Sequence, residues 1–111
     1  MVQEQSLEIK QGETWTRIIQ VVDALGDAVD LTGYTPRAQM RKEYRSAAYN
    51  DMHPALSPTP TDGLITLSLS DVETSSLKRG RWVYDIEGVS TDGNVLHIVE
   101  GLVHVIEEVT R

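Results

Sequence analysis

GRWVYDIEGVSTDGNVLHIVEGLVHV, residues 80–105, decides the fold. Within it, Trp82, Tyr84 and Ile86 alternate with Val83, Asp85 and Glu87. A period of two puts one set in a core and the other on the opposite side of a strand. Thr91-Asp92-Gly93-Asn94 follows. Asp-Gly between two β-rich runs predicts a hairpin, because glycine accepts the positive φ of a tight turn. The return strand carries Val95, Leu96, Ile98 and Val99. Gly101 is expected to interrupt it with a bulge or bend before Leu102, Val103, Val105 and Ile106. The stretch reads as a meander of two or three strands that supplies much of the core.

Upstream, Gln5 to Lys10 reads as a short first strand with Leu7 and Ile9 on one side, and Gln11-Gly12-Glu13 as a turn. Thr14 to Val22 is rich in β-branched and aromatic residues. Neither of its faces is cleanly polar, so it is expected to be a central strand with a bulge near Ile18-Ile19. A turn at residues 23–27 ends it. From Arg37 to Tyr44, Ala38, Met40 and Lys42 alternate with Arg37, Gln39, Arg41 and Glu43. Good helix formers make a helix the competing reading, but the short length and the preceding Pro36 favour a strand. Arg45 to Asp62 holds Pro54, Pro58 and Pro60 and reads as a long, unstructured loop. Leu64 to Leu69 is a strand with Ile65, Leu67 and Leu69 on one face. Ser70 and Glu73 form a capping-box signature for a short helix or turn, which Val72 and Leu77 are expected to pin to the core.

Many short strands with regular turn signals predict an all-β fold, an immunoglobulin-like antiparallel β-sandwich of about seven strands with one short helical turn. A small closed barrel is the alternative. The chain has 111 residues, which predicts one domain over residues 1–111. That size suffices to bury about two-thirds of the unfolded surface. Aromatics are scarce and phenylalanine is absent, so the core must be mainly Val, Ile and Leu, anchored by Trp15, Trp82 and a few tyrosines. The net charge of −7 argues against general nucleic-acid binding and against an anionic membrane surface, both of which need exposed cations. With no cysteine, neither a disulfide nor a thiolate metal site can form. The first residues lack a signal peptide's basic start and apolar run, so synthesis in the cytoplasm is expected.

Chemistry is sparse. His53, His97 and His104 fall at no metal spacing. His97 and His104 could face each other across a hairpin, but solvent-facing strand residues are the plainer reading. Asp85 and Glu87 share a strand face, with Glu100 nearby. Paired carboxylates can perform acid–base work, but a solvated sheet face paired with Arg37, Arg41 or Lys42 is favoured. Asp92-Gly93-Asn94 lacks a calcium loop's ligand spacing and reads as a turn. No phosphate-cradling glycine loop and no GxSxG elbow occur. No catalytic residue, cofactor or metal is therefore predicted. The locally basic segment Arg37, Arg41, Lys42 and Arg45, with Tyr44 and Tyr49, suits a protein contact or internal ion pairs better than nucleic acid. The proline-rich loop, with Tyr49, Met52, His53 and Leu56, reads as a docking surface. Deleting residues 46–61 is expected to leave the fold intact.

The order of motifs is familiar. LEIKQGETW, DLTGYTPRAQMR, DGLITLSLSDVETSSLKRGRWVYDIEG, the DGNV turn and EGLVHVIEEVTR run along nearly the whole chain. It resembles small phage and prophage proteins related to the N-terminal domain of phage baseplate upper protein. The matching positions are Gly12–Trp15, Leu31–Tyr34, Arg37–Arg41, Asp62–Leu69, Glu73-Thr74, Gly80–Asp85 and Gly101–Val105. The resemblance implies an immunoglobulin-like virion structural module without catalytic residues, located in the virion and contacting other virion proteins in several copies or as a homo-oligomer. The baseplate protein continues into a linker and further domains, whereas this sequence stops at Arg111. Tail or baseplate, head-decoration and connector roles all stay open. The rival reading is a carbohydrate- or receptor-binding module for a host surface glycan, which would need Trp15, Trp82 and Tyr84 exposed as stacking platforms.

Overall fold

The computed structural model describes residues 3–43 and 45–107. In chain order the strands are β1 (Gln3–Glu4), β2 (Leu7–Lys10), β3 (Trp15–Gln20), β4 (Thr35–Arg41), β5 (Asn50–Asp51), β6 (Ala55–Leu56), β7 (Leu64–Leu69), β8 (Gly80–Val89) and β9 (Val95–Ile106). A 3-10 turn spans Pro60–Asp62, and one short helix, α1, spans Asp71–Ser75. The larger sheet runs β1-β9-β8-β4-β5, with β2 also on β9; the smaller runs β3-β7-β6. Pairing is antiparallel except where β1 and β2 run parallel to β9. The two sheets form a β-sandwich around a core of Val, Ile, Leu and Met with Tyr84.

The 80–105 stretch forms the hairpin β8–β9. Tyr84 and Ile86 are buried and Trp82 packs against the core. At the tip, Gly93 adopts a φ of +85 and the Ser90 amide donates to the Asn94 carbonyl (2.8 Å). Contrary to expectation, β9 runs unbroken through Gly101. Glycine is required there by a neighbour, not by its own backbone. A Cβ at residue 101 would overlap the Gln5 carbonyl and lie 3.2 Å from the Tyr84 ring. Gln5 sits where β1 passes into β2. Its amide donates to the Glu100 carbonyl (3.1 Å), and its carbonyl accepts from the Tyr84 hydroxyl (2.6 Å).

A bulge does occur in β9, at Ile98. Val99 stands opposite Ile86, but His97 stands opposite Glu87. The extra residue is Ile98, which is buried together with Val99, and the slip turns His97 to the outer face. The bulge expected near Ile18-Ile19 is absent, because β3 and β7 pair in unbroken register from Trp15–Leu69 to Gln20–Leu64. Nor is β3 central. It is an edge strand, with Ile18 59% exposed. Its outer residue Ile18 is apolar yet lies on solvent, not under another strand. Arg17, opposite core residue Leu67, puts a charge on the inward side of this edge, a placement that discourages unwanted strand pairing.

The proline-rich segment is more ordered than the sequence suggests. β5 pairs with β4 and β6 with β7, so the chain changes sheets between residues 51 and 55. Met52 sits at the crossing. Its amide donates to Ala38 in the larger sheet (3.0 Å), its carbonyl accepts from Ser68 in the smaller (3.0 Å), and its side chain is fully buried. Leu56 is half-buried against the core. Met52 is thus a core residue and not part of an exposed docking loop, and residues 46–61 supply two short strands and this core side chain. Two-residue strands are too short to show periodicity, and the prolines around them look like loop.

The capping box forms as read: Ser70 Oγ accepts from the Glu73 amide (3.1 Å) and Glu73 Oε1 from the Ser70 amide (2.9 Å). Of the two expected anchors Leu77 is buried as read, whereas Val72 is 74% exposed and Thr74 is buried in its place. The Thr74 hydroxyl donates to the Glu13 carbonyl (2.8 Å) and accepts from the Gly12 amide (3.1 Å).

Candidate functional site

The outer face of the larger sheet collects the charged residues of three strands into rows. Arg37, Glu87 and His97 form one row, Gln39, Asp85 and Glu100 the next, and Arg41, Val83 and Leu102 the third. In the first row Glu87 is held from both sides. Arg37 donates to its Oε1 at 2.9 Å, and His97 Nδ1 lies 3.2 Å from its Oε2. In the second row burial raises the pKa of Asp85, and repulsion from Glu87 adds to it, while Arg41 and His97 act against the rise. Arg41 donates to Gln39 (2.8 Å) and lies 5.0 Å above the Tyr49 ring. A half-open concavity of about 400 Å³ lies over these rows, lined by Gln39, Arg41, Asp85, His97 and Glu100 among others.

Asp85, Glu87 and His97 are the described residues whose ligand atoms come close enough to hold a metal, all within 4.8 Å of one another. Arg37 already compensates the Glu87 charge. The arrangement is the ion-paired sheet face favoured from sequence, with His97 added. Spacing alone could not place His97 there, because the Ile98 bulge reverses its side. His97 and His104 do not face each other across a hairpin: both lie on β9, and His104 stands opposite Arg81.

The expected interaction residues divide. Arg37 and Arg41 lie on the outer face just described. Tyr49 is 52% exposed beside Arg41. Met52 is buried and Leu56 half-buried, as given above. Lys42 Nζ lies 5.6 Å from the Trp82 ring centre and donates to the Arg79 carbonyl (3.4 Å), so it continues the face of Ala38 and Met40 at its exposed end. Arg45 is exposed; Tyr44 lies outside the described residues.

His53 has a left-handed φ of 50. Its Nε2 is 2.8 Å from Glu73 Oε2, and its amide donates to Asp51 Oδ1 (2.9 Å). The Glu73 hydrogen bond raises the His53 pKa against a small cost of burial. The Ser70 amide first, and His53 next, lower that of Glu73. A raised histidine pKa means the folded state holds the proton more tightly than the unfolded chain. The stabilisation is complete below the unfolded value near 6.5 and fades as pH rises through the elevated folded value. His53→Asn tolerates the same backbone but cannot reach Glu73. Wild type is therefore expected to lose more thermal stability than His53→Asn between about pH 6 and 8, by at most about 1 kcal/mol, since the pair is exposed. Parallel melting curves for the two proteins would show that the contact carries no pH-dependent stability.

The fold defines a class: a two-sheet, immunoglobulin-like β-sandwich whose larger sheet shows a charged outer face. No protein-family model matches the chain, and no curated protein matches it. Among solved structures it is similar to the N-terminal domain of phage TP901-1 ORF48, with 13% identity over 94% of this chain and 86% of that one, at a TM-score of 0.64. It aligns less well with the Listeria monocytogenes internalin-like protein lmo2027, at 19% identity over 94% of this chain and 30% of that one, with a TM-score of 0.48. A chain of the ICOS–ICOS-L–VNAR complex gives 15% identity over 95% of this chain and 56% of that one, also at 0.48. At these identities the likeness concerns the fold.

Proposed function

We propose that this chain is a non-enzymatic structural module of a phage virion, a tail or baseplate, head-decoration or connector component, that joins neighbouring subunits through loops and edge strands. The observation that carries this reading is the near end-to-end likeness to a phage protein domain, which agrees with the motif order along the sequence. The open β3 edge and the exposed Tyr49 beside Arg41 are suited to contacts with other proteins. On the outer sheet face Arg37, Glu87 and His97 are engaged with one another, which favours a recognition surface over a reaction centre.

The glycan-binding reading loses its platforms. Tyr84 is buried, and both tryptophans are half-buried with their indole N–H groups committed, Trp15 to the Glu8 carbonyl (2.9 Å) and Trp82 to the Lys78 carbonyl (2.8 Å). The test is immunogold electron microscopy of purified particles from the phage or prophage that encodes the chain. Gold is expected at repeated, symmetry-related positions on the particle. Recovery of the chain only as free protein in the lysate, with bare particles, would refute the proposal.

A further inference from the structure

We propose that copies of this chain associate head to tail, the acidic end of one copy receiving the basic end of the next. The molecule is elongated, with extents of 43 × 28 × 24 Å, and the fold sorts its charges to opposite ends. One end is tied together by the Val21 amide donating to Gly63, Val29 to Val21 and Leu31 to Pro60. It carries Asp23, Asp27, Asp30 and Asp62, with Asp92 at the neighbouring hairpin tip; among the described residues 18–36, 57–63 and 88–97 there is no lysine or arginine. The opposite end collects Arg41, Lys42, Arg45, Lys78, Arg79 and Arg81, brought together where Lys42 meets the Arg79 carbonyl and Arg41 stands opposite Val83. Arg79 pairs with Glu107 (3.2 Å), and Glu43, Asp71 and Glu73 lie close by in the chain. A chain with a net charge of −7 thus gathers most of its cations at one end, while the described residues of the other hold no lysine or arginine.

The apolar features match the charges. Between the first turn and β9 lies a notch of about 210 Å³, lined chiefly by Val21, Val22, Val29, Leu31, Leu96 and Ile98, with Asp23 at its rim. Leu25 projects beside it, 87% exposed. At the basic end Tyr49 is exposed, set beside Arg41 and close in sequence to Arg45. A cation-flanked tyrosine is the shape and charge that an acid-rimmed apolar notch accepts. Because the two surfaces differ, the contact is heterologous. Repetition closes a ring or extends a stack, according to the rotation between copies.

This inference deepens the reading as a subunit-joining module, but its test uses the isolated full chain in solution, so a negative result leaves the particle-labelling experiment intact. Leu25→Ser/Asp27→Asn blunts the acidic end, and Arg45→Gln/Tyr49→Ser the basic end. All four side chains are exposed, and circular dichroism checks that each variant folds. In sedimentation equilibrium at about 20 mM salt, the wild-type average mass is expected to rise with concentration to at least twice the 12.4 kDa of one chain and to fall back at about 500 mM, where surface charges are screened. Each variant alone should stay monomeric. An equimolar mixture of the two should form dimers and nothing larger, since one intact end of each kind remains. A wild type that stays monomeric at low salt would overturn the inference. So would a variant that associates like wild type, or a mixture that fails to dimerise.

Discussion

Met52→Ala is expected to lower the unfolding free energy by about 2–5 kcal/mol, the usual cost of emptying a fully buried methionine site. A domain of this size holds only about 5–15 kcal/mol in total, so one truncation removes a large part of it. The site is sensitive because Met52 belongs to both layers. Its backbone bonds to Ala38 on one side and Ser68 on the other, and its side chain fills the space between. Deleting residues 46–61 removes β5, β6 and this bridge together, and should abolish the cooperative urea transition altogether. Tryptophan fluorescence during urea unfolding measures both effects. A Met52→Ala midpoint equal to that of wild type would mean the sheets are not joined through this residue.

Gly101→Val should strip the N-terminal strand from the sheet. The added carbon atoms need the space of the Gln5 carbonyl, which is backbone and cannot rotate away. Overpacking of this kind costs about 1–3 kcal/mol, sometimes more, and here a hydrogen bond goes with it. Burial pushes the Tyr84 phenol up to about 12, so its hydroxyl remains a donor to Gln5 across the ordinary pH range. Tyr84→Phe isolates that part of the loss, about 1–3 kcal/mol for a buried acceptor left unpaired. Hydrogen exchange reads the structural consequence. The β2 amides should lose protection in Gly101→Val while those of β8 keep most of theirs. Unchanged protection in β2 would mean that the strand can step around the new side chain.

Wherever one face of a strand is apolar for several residues, the fold was legible in the sequence. Tyr84 and Ile86, Ile65 to Leu69 and the Asp-Gly hairpin all lie where alternation and turn chemistry put them, and the Ser70–Glu73 box closes as its spacing predicts. Two of the errors share a cause, a neighbour distant in sequence, and a third comes from strand length. Gly101 looked like a break because nothing local reveals the Gln5 carbonyl beside it. β3 looked central because Ile18 is apolar, and only the sheet order shows that no strand covers it. Met52 looked like loop because its strands are too short for a period. Of the candidate site, the row partners Asp85, Glu87, Arg37 and Arg41 were readable from alternation. His97 was not, since a single extra residue decides which side it takes.

β1 and β2 run parallel to β9, so the chain enters and leaves the body at opposite extremities. Gln3 bonds to the Gln20 carbonyl and the Val22 amide beside the first turn, while Glu107 pairs with Arg79 at the far side. A purification handle fused before residue 3 would therefore sit next to the aspartates, and one fused after residue 107 next to the arginines. Placement of the handle becomes a choice of which extremity to obstruct, and comparing the two fusions is an inexpensive first look at which one matters.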